Sequence, residues 1–258
     1  MSNIELIYNP NDSAMKIAVL VSGSGTNFLA IYDEQLRLER LGVVNHGKVE
    51  VVFTNVPNCE GAAKARDLGV PVVSLSSKSF FEILNKNAGD DGLRDYYDAA
   101  TISLIEDACK PDIVVLAGYR RRIGGLFLSH YKNRIVNLFP GDITKRYLVR
   151  GVDASIQALR AGESYIKCTV YLEKHGERFG PSIVQSKPIS LEGYEERDAR
   201  KMQEKIRNEG EWRIYPFAVH QLIAKGRLGV DKNDNLYIDG KRMPERGYQF
   251  KDAELNTN

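Results

Sequence analysis

The stretch MKIAVLVSGSGTNFLAI, residues 15–31, decides the fold. Ile17 to Val21 form a short apolar run that gives way to Ser22-Gly23-Ser24-Gly25-Thr26-Asn27. Beyond it, apolar residues recur at helical intervals: Phe28, Leu29, Ile31, Tyr32, Leu36, Leu38 and Leu41. The order is strand, glycine loop, helix. In that setting small residues let backbone N–H groups approach an anion, and the helix N-terminus adds partial positive charge. Gly23, Ser24, Gly25, Thr26 and Asn27 are therefore candidates for holding a phosphate, with Ser24, Thr26 and Asn27 supplying side-chain donors. A tight turn without a ligand is the alternative. Phe28 occupies the place of the third glycine of a dinucleotide loop, and no P-loop lysine follows, so a nucleotide-triphosphatase reading fails.

Outward from this stretch the alternation continues. Strands are expected at Lys48–Thr54, Val70–Leu75, Asp112–Ala117 and Arg134–Asn137, with helices at Cys59–Leu68, Asp90–Cys109 and Phe127–Tyr131. The run DIVVLA at 112–117 is apolar throughout, as strands covered on both faces are. These features predict an α/β fold with an open, mostly parallel, Rossmann-like sheet. After residue 140 the pattern changes. Ile166–Leu172 and Ser182–Ile189 are expected to pair antiparallel, an added element near the C-terminal half. Helices are expected at Asp153–Ala161, Glu195–Asn208 and Trp212–Lys225, and a small hairpin around Asn233–Asn235. The expected division is an N-terminal extension (1–14), one α/β unit (15–248) and a tail (249–258). Ile4–Tyr8 either adds an edge strand or has no fixed structure.

A chain of 258 residues with 43% hydrophobic and 27% charged residues has ordinary globular composition. Lys plus Arg is 36 and Asp plus Glu 34, a net charge of +2. That balance argues against a dedicated nucleic-acid protein, which concentrates positive charge on phosphates. Cys59, Cys109 and Cys168 form no CxxC pair, and with four histidines no zinc spacing arises. No apolar run reaches the roughly 20 residues of a membrane span, and MSNIELIYNPNDSA lacks the layout of a signal peptide. The expectation is a cytoplasmic protein with no metal, no membrane and no nucleic-acid partner. The residues carry no signal of oligomeric state.

Four stretches resemble the folate-dependent formyltransferases, in particular the phosphoribosylglycinamide formyltransferases of purine synthesis. They are residues 15–31; PDIVVLAGYRRRIGGLFLSHY at 111–131; NLFPGD at 137–142 with QALRAGES at 157–164; and WRIYP at 212–216 with AKGRL at 224–228 and DGKRMPERGY at 239–248. The resemblance implies the formyltransferase fold and transfer of a formyl group from 10-formyltetrahydrofolate to the amine of a small phosphorylated substrate. It implies that the glycine loop holds the substrate phosphate, that Glu211 helps hold the ribose or glycinamide part, and that the folate lies against Arg120, Arg121, Arg122 and Ile123. It also implies an asparagine, a histidine and an aspartate converging on the reacting carbon. Asn137 matches the asparagine. Phe139 stands at the histidine position, Glu177 or Arg178 at or beside the aspartate, and Asp153 at a later family histidine.

These departures leave three functions open: a divergent formyl or related one-carbon transferase, a catalytically silent phosphate-ligand binding protein, or a different acyl-transfer or hydrolytic reaction in the same cleft. His175, two residues from Glu177, is a candidate replacement proton carrier or a solvated loop residue. Asp142 is a candidate carboxylate near Asn137 or a turn residue. Asp153 is read as a helix cap. Arg120, Arg121 and Arg122 follow an apolar strand where parallel sheets place ligands. With Arg178, and with Lys145, Arg146 and Arg150, they would make the cleft suited to anionic groups. Cys168 and His130 are read as structural. Trp212 either encloses substrate or packs the core.

Overall fold

The computed structural model describes residues 4–10, 13–85, 91–148 and 153–251. In chain order the elements are β1 (Glu5–Leu6), β2 (Met15–Val21), α1 (Thr26–Arg40), β3 (Gly47–Thr54), α2 (Glu60–Asp67), β4 (Val72–Ser74), α3 (Ser77–Ile83), α4 (Asp91–Ala108), β5 (Ile113–Leu116), α5 (Gly125–His130), β6 (Ile135–Phe139) and α6 (Ala154–Arg160). There follow β7 (Tyr165–Ile166), β8 (Thr169–Leu172), β9 (Ser182–Gln185), β10 (Ile189–Ser190), α7 (Ala199–Ile206), α8 (Trp212–Pro216), β11 (Leu228–Val230), β12 (Leu236–Ile238), β13 (Lys241–Arg242) and β14 (Tyr248–Gln249).

The main sheet has the order β14-β9-β8-β6-β5-β2-β3-β4. Only the pairings of β8 with β6 and β9 are antiparallel, so the expected mostly parallel sheet with an antiparallel addition is what forms. Successive residues of β2 serve opposite faces, as the two-residue period of a strand requires. Ile17, Val19 and Val21 pack with Phe28 and Ile31 of α1 and with Ile214 and Tyr215 of α8. Ala18 and Leu20 pack on the other side with Ile105 of α4 and Phe127 of α5. Burying both faces explains why β2 and β5 read as unbroken apolar runs.

Two details differ from the expected elements. The hairpin of 166–189 is interrupted, because the Ser186 hydroxyl accepts the Cys168 N–H at 2.9 Å. Residues on either side pair separately, β8 with β9 and β7 with β10. The two expected C-terminal helices run into one another through π-helical segments at Arg207–Glu211 and Phe217–Ile223. Gly210 does not end a helix. A methyl there would lie 2.6 Å from Cys168 Sγ and 2.8 Å from Ile189 Cδ1, so the glycine permits close packing on Cys168 and β10. Of the two readings of Ile4–Tyr8, the edge strand forms: β1 pairs with β11 at the edge of a separate sheet, β1-β11-β12-β13, whose β11–β12 hairpin turns around Asn233–Asn235 as expected.

Candidate active site

β2 and β5 are adjacent, yet the chain leaves them toward opposite edges of the sheet. Such a switch point opens a crevice at the carboxyl ends of the strands. The loop after β2 and the loop after β5 line it, and Ser22 laces them together. Its hydroxyl donates to Asn55 Oδ1 at 2.5 Å and accepts the Arg120 N–H at 2.9 Å.

The glycine loop is held from behind. Gly25 has φ +70°, and a methyl on it would lie 2.5 Å from the Gly61 Cα. Gly61 N–H donates to the Gly23 carbonyl at 2.8 Å and Lys64 Nζ to the Ser24 carbonyl at 2.7 Å. The two carbonyls are thus taken by α2, whereas the first-turn amides of α1 have no acceptor within their helix. Gly23 to Asn27 line a cavity of about 320 Å³ together with Arg120, Asn137, Phe139, Tyr171, Arg207 and Glu211. Asn27 Nδ2 donates to Glu211 Oε2 at 2.8 Å. Burial pushes the Glu211 carboxyl up from the usual range, against the pull of that hydrogen bond and of Arg207.

A second cavity of about 670 Å³ adjoins the first, with Tyr119, Arg120 and Asn137 lining both. Its walls are the 119–125 loop and residues 173–178. The three consecutive arginines diverge within it. Arg120 is exposed and reaches over the glycine loop, where a methyl on Gly23 would lie 3.5 Å from Nη2. Arg121 turns inward, its guanidinium carbon 4.2 Å from the Tyr97 ring centre and 4.6 Å from that of Phe81. Its Nε and Nη2 are buried without a hydrogen-bond partner among the described residues. Asp98 beside it accepts the Gly124 N–H at 2.7 Å, and burial raises its pKa to about 6 although Gly124 and Arg121 oppose the shift. Arg122 is exposed, and Ile123 packs on the core below the loop.

Where the cavities meet, antiparallel register sets Asn137 of β6 opposite Tyr171 of β8. Asn137 Nδ2 donates to the Tyr171 hydroxyl at 2.9 Å and to Glu173 Oε1 at 2.7 Å, and the Tyr171 hydroxyl donates to the same oxygen at 3.1 Å. Tyr171 and Glu173 share a face because they are two residues apart on extended chain. Phe139 packs against Phe179 with ring centres 4.9 Å apart and planes tilted by 57°, and Tyr171 meets Phe179 edge-on at 5.5 Å. An aromatic wall therefore stands beside a hydrogen-bonded amide, phenol and carboxylate.

The other candidates fall at varying distances from this point. His175 is exposed and lines the larger cavity on its far side, against Gly125. Arg178 lines the same cavity, donates to the Leu148 carbonyl and lies 4.9 Å over the Phe179 ring. Asp142 lines neither cavity. It is buried, and its Oδ1 accepts from Thr144 N–H at 3.0 Å, Thr144 Oγ1 at 2.7 Å and Gln185 Nε2 at 2.8 Å, which holds the turn after β6. Asp153 caps α6 through Ser155 and Ile156 N–H. Lys145 pairs with Glu163 at 2.5 Å, Arg146 is exposed, and Arg150 lies outside the described residues. Trp212 lines neither cavity but a groove against α1 that shares Thr26 with the glycine-loop cavity. Among the described residues no group of three or more His, Cys, Asp or Glu could hold a metal, and no helix is long and apolar enough to cross a membrane.

Tyr171, Glu173, Lys64 and Arg207 are not singled out by the sequence reading. Only Glu173 carries a local signal, a carboxylate directly after the apolar alternation of a strand. The others are placed by strand register and helix docking.

The profile of the formyl transferase family matches residues 15–219. The chain is 31% identical to the phosphoribosylglycinamide formyltransferase of Escherichia coli over 91% of its own length and 98% of that protein. It is 30% identical to the Haemophilus influenzae enzyme of the same name, over 90% and 98%. Among solved structures, it superposes on the phosphoribosylglycinamide formyltransferase of Coxiella burnetii with a TM-score of 0.75 at 25% identity, covering 93% of this chain and all of that one. On glycinamide ribonucleotide transformylase 1 of Symbiobacterium toebii the TM-score is 0.65 at 31% identity, over 87% and 94%. With its strand order, its glycine loop and its family profile in agreement, the chain belongs to the formyl transferase family, as an enzyme of the formyltransferase type.

Proposed function

We propose that the protein transfers a formyl group from a folate donor to the amine of a phosphorylated substrate, of which phosphoribosylglycinamide is the first candidate. The observation that carries this reading is the meeting of two cavities at Asn137. A two-substrate transfer needs both partners held so that their reacting atoms touch.

In this reading the smaller cavity takes the acceptor. The amides and hydroxyls of Gly23 to Asn27 hold its phosphate at the α1 N-terminus, and buried Glu211, fixed by Asn27, accepts from its sugar or glycinamide part. The larger cavity fits the chemistry of a folate. Its volume suits a small-molecule site. Tyr119, Ile123 and Leu128 offer apolar surface to a flat ring system, and Arg94, Arg120 and Arg122 offer donors to an anionic tail. When bound, the folate supplies an activated formyl carbon. Asn137 supplies an amide hydrogen to the carbonyl oxygen as negative charge develops there. Since both Nδ2 hydrogens are engaged in the free site, the donor carbonyl displaces the one held by Tyr171.

Phe139 favours a second reading, that of a silent phosphate-ligand binder, because its ring, packed against Phe179, can move no proton. Titration calorimetry separates the two. Binding of phosphoribosylglycinamide, enhanced by a non-reactive 10-formylfolate analogue and followed by turnover with the true donor, is expected. Binding of the phosphate compound without folate binding or turnover supports the silent protein. Binding of neither overturns both.

A further inference from the structure

We infer that Glu173 is the proton acceptor of the transfer, with Tyr171 as its positioning partner; this rests on the formyl-transfer reading above. Glu173 is half-buried and lines the cavity that meets the acceptor pocket at Asn137. Its Oε1 lies 2.7 Å from Asn137 Nδ2 and 3.1 Å from the Tyr171 hydroxyl. The backbone holds it there, since Glu173 N–H donates to the Ile135 carbonyl at 2.9 Å and extends the β6–β8 ladder past Asn137. The neighbouring candidates do not supply a base at this point. Phe139 has no exchangeable proton, Arg178 is always protonated, and Asp142 is held in its turn by Thr144 and Gln185.

The proton balance closes on the carboxylate alone. The amine nitrogen attacks the formyl carbon, a carbon–nitrogen bond forms, and the carbonyl pair moves to oxygen against the Asn137 amide. The attacking nitrogen now bears an extra proton, which Glu173 takes. The carbonyl re-forms, the bond from carbon to the donor nitrogen breaks, and Glu173 returns the proton to that nitrogen. The products are a formamide and a donor bearing N–H, and the carboxylate is regenerated. Tyr171 donates to the carboxylate throughout and so holds it toward the reacting amine.

Glu173→Gln tests this, because the amide oxygen still accepts from Asn137 and Tyr171 while the basicity is gone. With phosphoribosylglycinamide and 10-formyltetrahydrofolate, kcat is expected to fall roughly 10²- to 10⁴-fold. Thermal midpoint and affinity for ribose 5-phosphate, which lacks the amine, should stay at wild-type values. Glu173→Asp should recover part of the rate, and Tyr171→Phe should lower kcat with little change in KM. Unchanged kcat in Glu173→Gln overturns the inference and leaves formyl transfer standing. A readout independent of turnover covers the case in which the wild type does not transfer to this acceptor. A carboxylate facing the amine makes wild-type protein bind phosphoribosylglycinamide more tightly than ribose 5-phosphate, by roughly tenfold, and Glu173→Gln removes that preference. Equal affinities in the wild type, or a preference that survives the substitution, overturn it.

Discussion

The two sides of the cleft are built differently. On the glycine-loop side the contact surface is mainly the backbone and short side chains of Gly23 to Asn27, braced by Gly61, Lys64 and helix α1. On the β6–β8 side it is side chain: Asn137, Tyr171 and Glu173 in one hydrogen-bonded group, next to the rings of Phe139 and Phe179. A backbone surface presents the same N–H groups whatever its side chains, so it suits recognition of a common group such as phosphate. A side-chain surface can be rebuilt by a few substitutions, and here the ring of Phe139 stands in the wall beside Asn137. The difference sets a loop held mainly through its backbone against a wall whose chemistry depends on individual side chains.

The largest expected effect breaks the side-chain wall alone. Asn137→Ala should lower kcat roughly 10²- to 10³-fold, about 3–4 kcal/mol of transition-state stabilisation, while ribose 5-phosphate affinity measured by calorimetry stays unchanged. A comparable loss of ribose 5-phosphate binding would mean that the walls are not independent.

Acid should loosen the opposite wall next. Behind it, His220 accepts the Gly47 N–H at 3.0 Å through Nδ1 and faces the Ile31 carbonyl at 3.0 Å through Nε2, joining α1 to β3. Complete burial lowers its pKa from 6.5 to about 4. Between those values the unfolded chain carries the proton and the folded chain does not, so stability falls as pH drops through that window. The loss is about 3 kcal/mol at full extent. Urea unfolding of wild type and His220→Gln at pH 7 and pH 4.5 checks it; an equal pH dependence in both proteins would remove His220 as the cause.

Gly25→Ala acts on the same wall more locally. The positive φ and the approach to Gly61 should cost about 1–3 kcal/mol of stability and abolish most ribose 5-phosphate affinity. Retained affinity would show that the loop carbonyls and amides can shift without loss of the anion site. The smallest effect sharpens the comparison from the other side. Phe139→His disturbs the ring contact with Phe179 by about 1 kcal/mol and should raise kcat by no more than a few fold if Glu173 already handles the proton. A gain of a hundredfold or more in steady-state assay would show instead that the histidine position limits the reaction.

The strand, glycine loop and helix of residues 15–31, the alternation to residue 140 and the cap at Asp153 are local patterns, and residues near one another in sequence determined them. Ile17 to Val21 had to be buried on both faces, and Gly25 had to turn with positive φ. The family resemblance read from the sequence also put Phe139 where a histidine was expected. Other features needed the packed chain. The short helix α3, whose first turn is closed by Ser76 accepting the Ser79 N–H, lies in a serine-rich stretch with little apolar period. The pairing of β14 with β9 joins residues about 65 apart. Above all, the partner of Asn137 was decided by register. A one-residue slip between β6 and β8 would send Tyr171 and Glu173 to the opposite face of the sheet. The glycine loop could therefore be read from consecutive residues, whereas the cluster of Asn137, Tyr171 and Glu173 came into being only when two antiparallel strands were aligned.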